Sequence, residues 1–222
     1  MLRTAPLAVA LVLALAVPAD AAEVAARLDV PGGVRYGAET VVTGAVTEAG
    51  VPVPGRPVVL EGRRFPFAGD WQLLASGVTG ADGSYELARE LDRNHELRVR
   101  EEMASAVSPT LKAYVFPSFR LGFQELPAGS IRITQTYQVP RDVRLRARTR
   151  FYVGPQSRRR ARLRAVVPTR RVRPGRYRAV ARIRIPASYG GRFRYVSCFA
   201  YTPGSGMGNP SRRCPRKTFR VR

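Results

Sequence analysis

The stretch TGADGSYEL, Thr79–Leu87, decides how this chain can fold. It lies between an apolar run and an alternating run, and the dipeptide Asp82-Gly83 stands at its centre. Asp-Gly readily adopts the positive φ angles that a tight two-residue turn requires. After the turn, Tyr85 and Leu87 occupy alternate positions and are predicted to face a core. The stretch therefore predicts a β-hairpin and an all-β fold.

Short runs of the same kind continue on both sides of this turn. The run WQLLASGV before it is predicted to place Trp71, Leu73 and Ala75 inward. Further pairs predicted to face inward are Val58 with Leu60 and Leu97 with Val99. About seven such runs occupy roughly 90 residues, which is the strand spacing of a β-sandwich.

A second series of about seven runs follows, from SFRLGFQEL to KTFRVR, with Pro-Gly or glycine-rich breaks between them. The predicted fold class is therefore all-β, with two tandem Ig-like antiparallel β-sandwiches. We expect one domain over residues 22–115 and a second over residues 116–222, with the boundary near Thr110–Pro117. No long flexible linker is visible, so we expect the two sandwiches to lie close together.

Charge is distributed very unevenly between these two predicted domains. Residues 22–115 contain 10 lysines and arginines against 13 acidic residues, a net charge of −3. Residues 116–222 contain 27 against only 2, Glu125 and Asp142, a net charge of +25. Such an asymmetry indicates two domains with different surfaces. Nearly all of the positive charge is arginine, a bias that the codon usage of GC-rich bacterial genomes also produces.

The first domain resembles the Ig-like and carboxypeptidase-regulatory-like modules of secreted bacterial proteins. The resemblance covers roughly residues 36–101 and is carried by three segments: VTGAVTEAGVPVPGRPVVLEGR, WQLLASGVTGADGSYEL and NHELRVR. It implies a small β-sandwich that serves as a spacer, an adhesion unit or an appendage of an enzyme. Related sandwiches that bind Ca²⁺ need several carboxylates, whereas this turn offers only Asp82, so no metal site is implied. The closing segments, among them RYVSCFAY and GMGNPSRRCP, resemble the ends of secreted Ig-like proteins of actinobacteria.

The first 21 residues, MLRTAPLAVALVLALAVPADA, have the pattern of a cleaved secretory signal peptide. Arg3 precedes an apolar run that is about half the length of a membrane-spanning helix, and an Ala-Asp-Ala cleavage signal follows. The alternative is an uncleaved N-terminal anchor. We expect a mature protein that begins near Ala22 or Glu23 and is secreted or held at the cell surface.

Cys198 and Cys214 are the only cysteines. In an exported chain an even pair is expected to form a disulfide; the alternative is a reactive thiol or a metal pair. The glycine-rich segment TPGSGMGNP between them lacks the lysine and Ser/Thr of a phosphate-binding loop. We expect it to be a mobile connection that the disulfide holds in place.

The sequence contains no recognisable catalytic motif. His95 is the only histidine, and it is expected to be a surface or turn residue because no nucleophile accompanies it to build a triad. The basic domain has too few acids for a hydrolytic or metal centre. We therefore expect a protein that is not an enzyme and has no cofactor, no metal and no small-molecule substrate.

Arginine alternates with apolar residues in two stretches of the basic domain. In VRLRARTRFYV, Val143–Val153, and in RYRAVARIRI, Arg176–Ile185, the apolar positions are predicted to face inward and the arginines outward. The predicted anion-binding residues are Arg144, Arg146, Arg148, Arg150, Arg176, Arg178, Arg182 and Arg184. Alternation alone is what any half-solvated sheet shows. A solvated face usually mixes both signs of charge, so the excess of one sign points to an anionic partner.

The sequence thus predicts a secreted binding or structural module that contacts anionic envelope polymers through its basic domain. Wall polymers, lipid headgroups and non-specific nucleic acid are the expected partners. Sequence-specific recognition of nucleic acid is not expected, because no recognition helix, zinc finger or RNA-binding motif is present. The alternative is an accessory module of a larger extracellular system that binds a protein partner and no polyanion.

Overall fold

The computed structural model describes residues 21–155, 162–189, 193–199, 204–208 and 219–221. The first ten strands are β1 (Ala22–Leu28), β2 (Val34–Arg35), β3 (Glu39–Glu48), β4 (Val51–Pro52), β5 (Pro57–Arg64), β6 (Gln72–Val78), β7 (Ser84–Glu90), β8 (His95–Glu101), β9 (Leu111–Ala113) and β10 (Val115–Phe116). The remaining strands are β11 (Ser118–Leu126), β12 (Ser130–Gln138), β13 (Arg148–Pro155), β14 (Arg162–Pro168), β15 (Arg170–Arg173), β16 (Arg176–Arg184), β17 (Phe193–Phe199) and β18 (Phe219–Val221). One turn of 3-10 helix covers Ala187–Tyr189. Within the described ranges, no helix has the length and apolar composition to cross a membrane.

The N-terminal strands form two antiparallel sheets with a core between them. In the first sheet β3 pairs with β1 along one edge and with β7 and β4 along the other. The second sheet has the order β6-β5-β8-β9. Alternate residues of each strand point into the shared core, where Leu60 and Leu97 are completely buried. This strand order is that of an Ig-like sandwich.

The C-terminal strands repeat the arrangement. One sheet has the order β11-β12-β16-β15, and the other has the order β14-β13-β17-β18. The first of these orders matches the four-stranded sheet of Ig domains. Inward-facing residues such as Tyr137 and Phe151 fill the space between the sheets. The all-β fold class with two Ig-like antiparallel sandwiches is therefore confirmed.

The turn at Asp82-Gly83 does not close a hairpin, so that prediction was wrong. Gly83 has the expected positive φ of 73°, and the Asp82 carboxylate accepts hydrogen bonds from the Ser84 backbone N–H and hydroxyl. The strands on either side nevertheless belong to different sheets, because β6 pairs with β5 while β7 pairs with β3. The stretch is the connection by which the chain passes from one sheet of the sandwich to the other.

The inward assignment of Leu73 was also wrong. A β-bulge shifts the register of β5 against β6, so that Leu60 faces Ala75 while Glu61 faces Leu73. Leu74 is the extra residue, and it packs against the core in place of its neighbour. Leu73 is consequently 66% exposed. Trp71 lies on the outer face as well, as described below.

The two sandwiches meet at a hydrogen-bonded junction centred on Asn94. This buried side chain accepts a hydrogen bond from the Val115 backbone N–H at 2.9 Å and donates one to the Gly208 carbonyl at 2.8 Å. Its backbone N–H donates to the Gly206 carbonyl at 2.7 Å. At the expected domain boundary, β10 pairs in parallel with β2 of the N-terminal half.

The glycine-rich segment contributes to this junction, which corrects its expected role as a mobile connection. Residues 205–208 are buried, and Met207 has no exposed surface. Gly206 lies so close to Phe65 that an added Cβ would come within 2.9 Å of the phenyl ring. A glycine is required there for both its positive φ of 66° and this close approach.

Candidate anion-binding surface

The alternation of the first arginine stretch is present in the structure. Arg144, Arg146, Arg148 and Arg150 are exposed, and the five residues that alternate with them, Val143, Leu145, Ala147, Thr149 and Phe151, are buried. The stretch is not one continuous strand as expected, because β13 begins only at Arg148. The preceding residues keep the alternation without strand pairing on either side.

The second stretch is a regular strand, β16. Tyr177, Ala179, Ala181 and Ile183 are buried. Arg178, Arg182 and Arg184 are exposed, and Arg176 is half-buried. Ile185 lies just after the strand and is only partly buried.

The two arginine rows lie on opposite sides of the C-terminal sandwich. Arg148 and Arg150 belong to the sheet β14-β13-β17-β18, whereas β16 belongs to the other sheet. Exposed side chains of two sheets that share a core point away from each other. The two rows therefore cannot contact the same short stretch of a ligand.

The outer face of the sheet β11-β12-β16-β15 carries a dense cluster of arginines. Cross-strand partners in an antiparallel pair share a face, and the register places arginines from all four strands beside the β16 row. We call this surface the basic face; its arginines are Arg120, Arg132, Arg170, Arg173, Arg176, Arg178, Arg182 and Arg184. Four of them were not predicted as site residues. Arg132 was detectable, since it stands between Ile131 and Ile133 in an alternating run.

Three pairs of arginines on this face are directly opposite each other. Arg132 is the cross-strand partner of Arg182, Arg170 is the partner of Arg178, and Arg173 is the partner of Arg176. Like charges in this position destabilise a sheet. Folding of the sheet does not require these pairs, because a threonine or glutamine at either position would also suit a solvated strand.

Within the described residues, no arginine of the basic face has a carboxylate within 4.0 Å. The only side-chain partner that the structure gives to this set is Gln124, whose carbonyl oxygen accepts a hydrogen bond from Arg132 at 2.9 Å. Asp142, one of the two acids of this half, instead pairs with Arg93 at 2.6 Å and with Arg64 at 3.6 Å, both from the N-terminal half. The hydrogen bond from Arg93 holds the pKa of the Asp142 carboxyl below its usual value.

Arginines of the N-terminal half, unlike those of the basic face, have acidic and aromatic partners. Glu61 accepts hydrogen bonds from Arg98 at 2.8 Å and from Arg100 at 2.9 Å. Burial acts to raise the pKa of Glu61, but these two hydrogen bonds outweigh it and the pKa is lowered. Arg63 and Arg98 lie over the ring of Trp71, at 4.4 and 4.2 Å from its centroid. Six arginines of this half, Arg56, Arg63, Arg64, Arg93, Arg98 and Arg100, have a carboxylate within 4.0 Å.

Two shallow depressions lie at one end of the basic face. The first, of about 490 Å³, is lined by Ser130, Arg132, Arg182 and Arg184 among others. The second, of about 580 Å³, shares Arg184 and adds Arg164. Arg164 donates a hydrogen bond to the Tyr189 hydroxyl at 3.0 Å. Of the described residues, no acidic side chain lines either depression.

His95 is buried, which corrects its expected position at the surface. It is the first residue of β8, and its Nδ1 lies 2.8 Å from the Arg93 carbonyl oxygen. Burial lowers its pKa. In the described part of the chain, no three His, Cys, Asp or Glu side chains are grouped to hold a metal ion.

Some predicted features fall where the structure gives no description. Cys214 and residues 1–20 of the predicted signal peptide lie outside the described residues. The disulfide between Cys198 and Cys214 therefore remains a prediction.

No protein-family model matches this chain, and no curated protein matches it. Among solved structures, 740 chains match. One of them is a marsupial T cell receptor with 10% sequence identity and a TM-score of 0.30; the match covers 89% of this chain and 98% of the receptor chain. That TM-score is too low to carry an argument, so the Ig-like assignment rests on the strand orders given above.

Proposed function

We propose that this protein is a secreted, non-enzymatic binding module of the cell surface, and that its basic face contacts anionic envelope polymers. The supporting observation is the concentration of eight arginines on one side of a single sheet without a described carboxylate partner. In the N-terminal half, most arginines are paired with glutamate or aspartate. An extended anion supplies the negative charge that the described carboxylates do not place beside these arginines.

The geometry favours a polymer over a small ligand. The strands of a sheet lie about 4.8 Å apart, and residues on one face of a strand repeat about every 6.8 Å. The basic face therefore presents a regular grid of charges, which suits a chain of repeated anionic groups. Such a grid carries no base-specific contacts, so binding should be indifferent to the sequence of a nucleic acid.

The test compares two variants that lose the same charge from opposite sides of the sandwich. The first replaces Arg176, Arg178, Arg182 and Arg184 by serine, and the second replaces Arg144, Arg146, Arg148 and Arg150 by serine. Affinity for heparin and for duplex DNA is measured by titration over a range of salt concentrations. The parent should bind both, and the affinity should fall steeply as salt rises, because each neutralised phosphate or sulfate releases a counterion.

We expect the first variant to lose most of the affinity and to show a shallower salt dependence on DNA, by about 0.9 in the logarithmic slope for each lost contact. The second variant should lose less, since its arginines add only to the long-range field. Both should keep a β-rich circular dichroism spectrum, because none of the eight side chains is buried in the core. Equal losses would refute the basic face as the contact surface. A parent that binds neither polymer would refute the function and favour a protein partner.

A further inference from the structure

We infer that the depression around Arg132, Arg182 and Arg184 is a discrete site for a tetrahedral oxyanion, a phosphate or a sulfate group. This inference rests on the proposed function and names the chemical group that the basic face recognises. A diffuse positive field attracts any polyanion alike. Several arginines that line one depression can select an anion by its geometry as well as by its charge.

The cluster is built on paired strands. Arg132 and Arg182 are direct cross-strand partners, and Ser130 and Arg184 are the next pair on the same face, two residues along the strands. Their side chains line the same depression of about 490 Å³. Three arginines and one serine therefore line a single depression, although like charges at such short range repel each other.

Two neighbouring arginines are held in place while two have no described side-chain partner. Gln124 accepts a hydrogen bond from Arg132, and the Tyr189 hydroxyl accepts one from Arg164 at the adjoining depression. A guanidinium carries five N–H donors, so Arg132 and Arg164 each keep further N–H groups that can bind a ligand. Within the described part of the chain, the side chains of Arg182 and Arg184 have no hydrogen-bond or ion-pair partner.

The donor arrangement fits a tetrahedral anion better than a planar one. A carboxylate has two oxygens in one plane, and a single guanidinium can engage both. Phosphate and sulfate groups offer oxygens in several directions, so guanidinium groups from two strands can bind one group together. We therefore expect the site to discriminate between polymers of equal charge according to the geometry of their anionic groups.

The experiment measures binding of the full chain to polyphosphate, dextran sulfate and polygalacturonate that are matched in number of charges. Each displaces a fluorescent polyphosphate, and the displacement is followed by anisotropy. The parent should bind the phosphate or the sulfate polymer about tenfold more tightly than the carboxylate polymer. Whichever of the first two binds more tightly identifies the source of the oxyanion, and either result supports the site.

Two double variants with the same loss of charge locate the effect. In R132Q/R182Q the preference for the tetrahedral groups should fall to about one, while salt-dependent binding of all three polymers persists. In the control R144Q/R146Q, on exposed residues outside the site, the preference should remain. Thermal unfolding without polymer checks the fold: R132Q/R182Q should unfold at the same or a higher temperature, because a like-charged pair has been removed.

Each other outcome has a definite meaning. If the parent binds the three polymers equally, or if R132Q/R182Q keeps the parental preference, the oxyanion site is overturned while polyanion binding stands. If the parent binds none of them, the proposed function fails and the site fails with it. A lower unfolding temperature for R132Q/R182Q would assign the pair a structural role and overturn the site.

Discussion

At the scale of single residues, burial changes what a titratable side chain does. His95 could have been read from its sequence neighbours as a solvated turn residue, but it begins a strand whose alternate residues face the core. Burial lowers the pKa of His95, while the hydrogen bond to the Arg93 carbonyl and the charge of Asp92 raise it. The positive charges of Arg64 and Arg93 lower it further. Burial is the largest influence, so the folded protein favours the neutral imidazole.

This predicts that His95 makes stability depend on pH near neutrality. The unfolded chain takes up a proton near the ordinary pKa of 6.5, whereas the folded chain resists it. The contribution of His95 to the free energy of unfolding is therefore complete above that pH and is lost as the pH falls below it. Urea unfolding at pH about 7.5 and about 5.5 should show a lower midpoint at the acidic pH, in a range where carboxylates remain ionised. The variant H95Q should lose this difference; a parent with equal midpoints would contradict the prediction.

At the scale of strands and turns, a one-residue irregularity decides which side chains reach the core. The bulge in β6 exchanges the faces of Leu73 and Leu74 relative to strict alternation. Sequence periodicity has no means of detecting an inserted residue when both neighbours are leucine. The same limit explains the turn at Asp82-Gly83, since local chemistry specifies the turn but not which strand each arm will pair with.

The two leucines provide a matched test of the bulge. L74A should destabilise the protein by about 2 kcal/mol, because it removes a side chain that packs on the core. L73A should change stability by less than about 0.5 kcal/mol, since surface substitutions usually have small effects. The free energy of unfolding from urea titrations measures both. The reverse order of the two effects would show that β6 alternates without a bulge.

Alternation made much of the candidate surface predictable. It correctly placed the arginines of Val143–Val153 and of β16 outside and their apolar neighbours inside. It did not reveal that the two rows belong to different sheets, because sheet membership depends on pairing between distant strands. Nor did alternation predict that Arg120, Arg132 and two arginines of β15 share a face with the β16 row. Only the register between the strands shows this.

At the scale of the whole molecule, the two sandwiches share more than a covalent connection. Their buried apolar residues belong to one connected cluster. Asn94 binds residues 206 and 208 as well as Val115, and the Gly208 N–H donates back to the Val115 carbonyl at 2.8 Å. Each half nevertheless has its own pair of sheets, so we expect each to fold with its own strand pairings.

A fragment over residues 116–222 tests both statements at once. It should give a β-rich circular dichroism spectrum, while Met207, which has no exposed surface in the full chain, should become reactive. Mass spectrometry after mild peroxide treatment measures methionine oxidation. In the full chain Met103, which is 69% exposed, should oxidise quickly and serve as the internal control while Met207 is protected. An unfolded fragment would indicate a single body with a shared core, and rapid oxidation of Met207 in the full chain would contradict the buried junction.

The junction also fixes the direction of the molecule's electric dipole. One half has a net charge of −3 and the other a net charge of +25, and the hydrogen bonds of Asn94 join them. The molecule therefore has a permanent dipole moment that free rotation between the halves does not average out. In the field of an extended anion such a dipole experiences a torque before any contact is made. The torque turns the basic half towards the anion and the N-terminal half away from it.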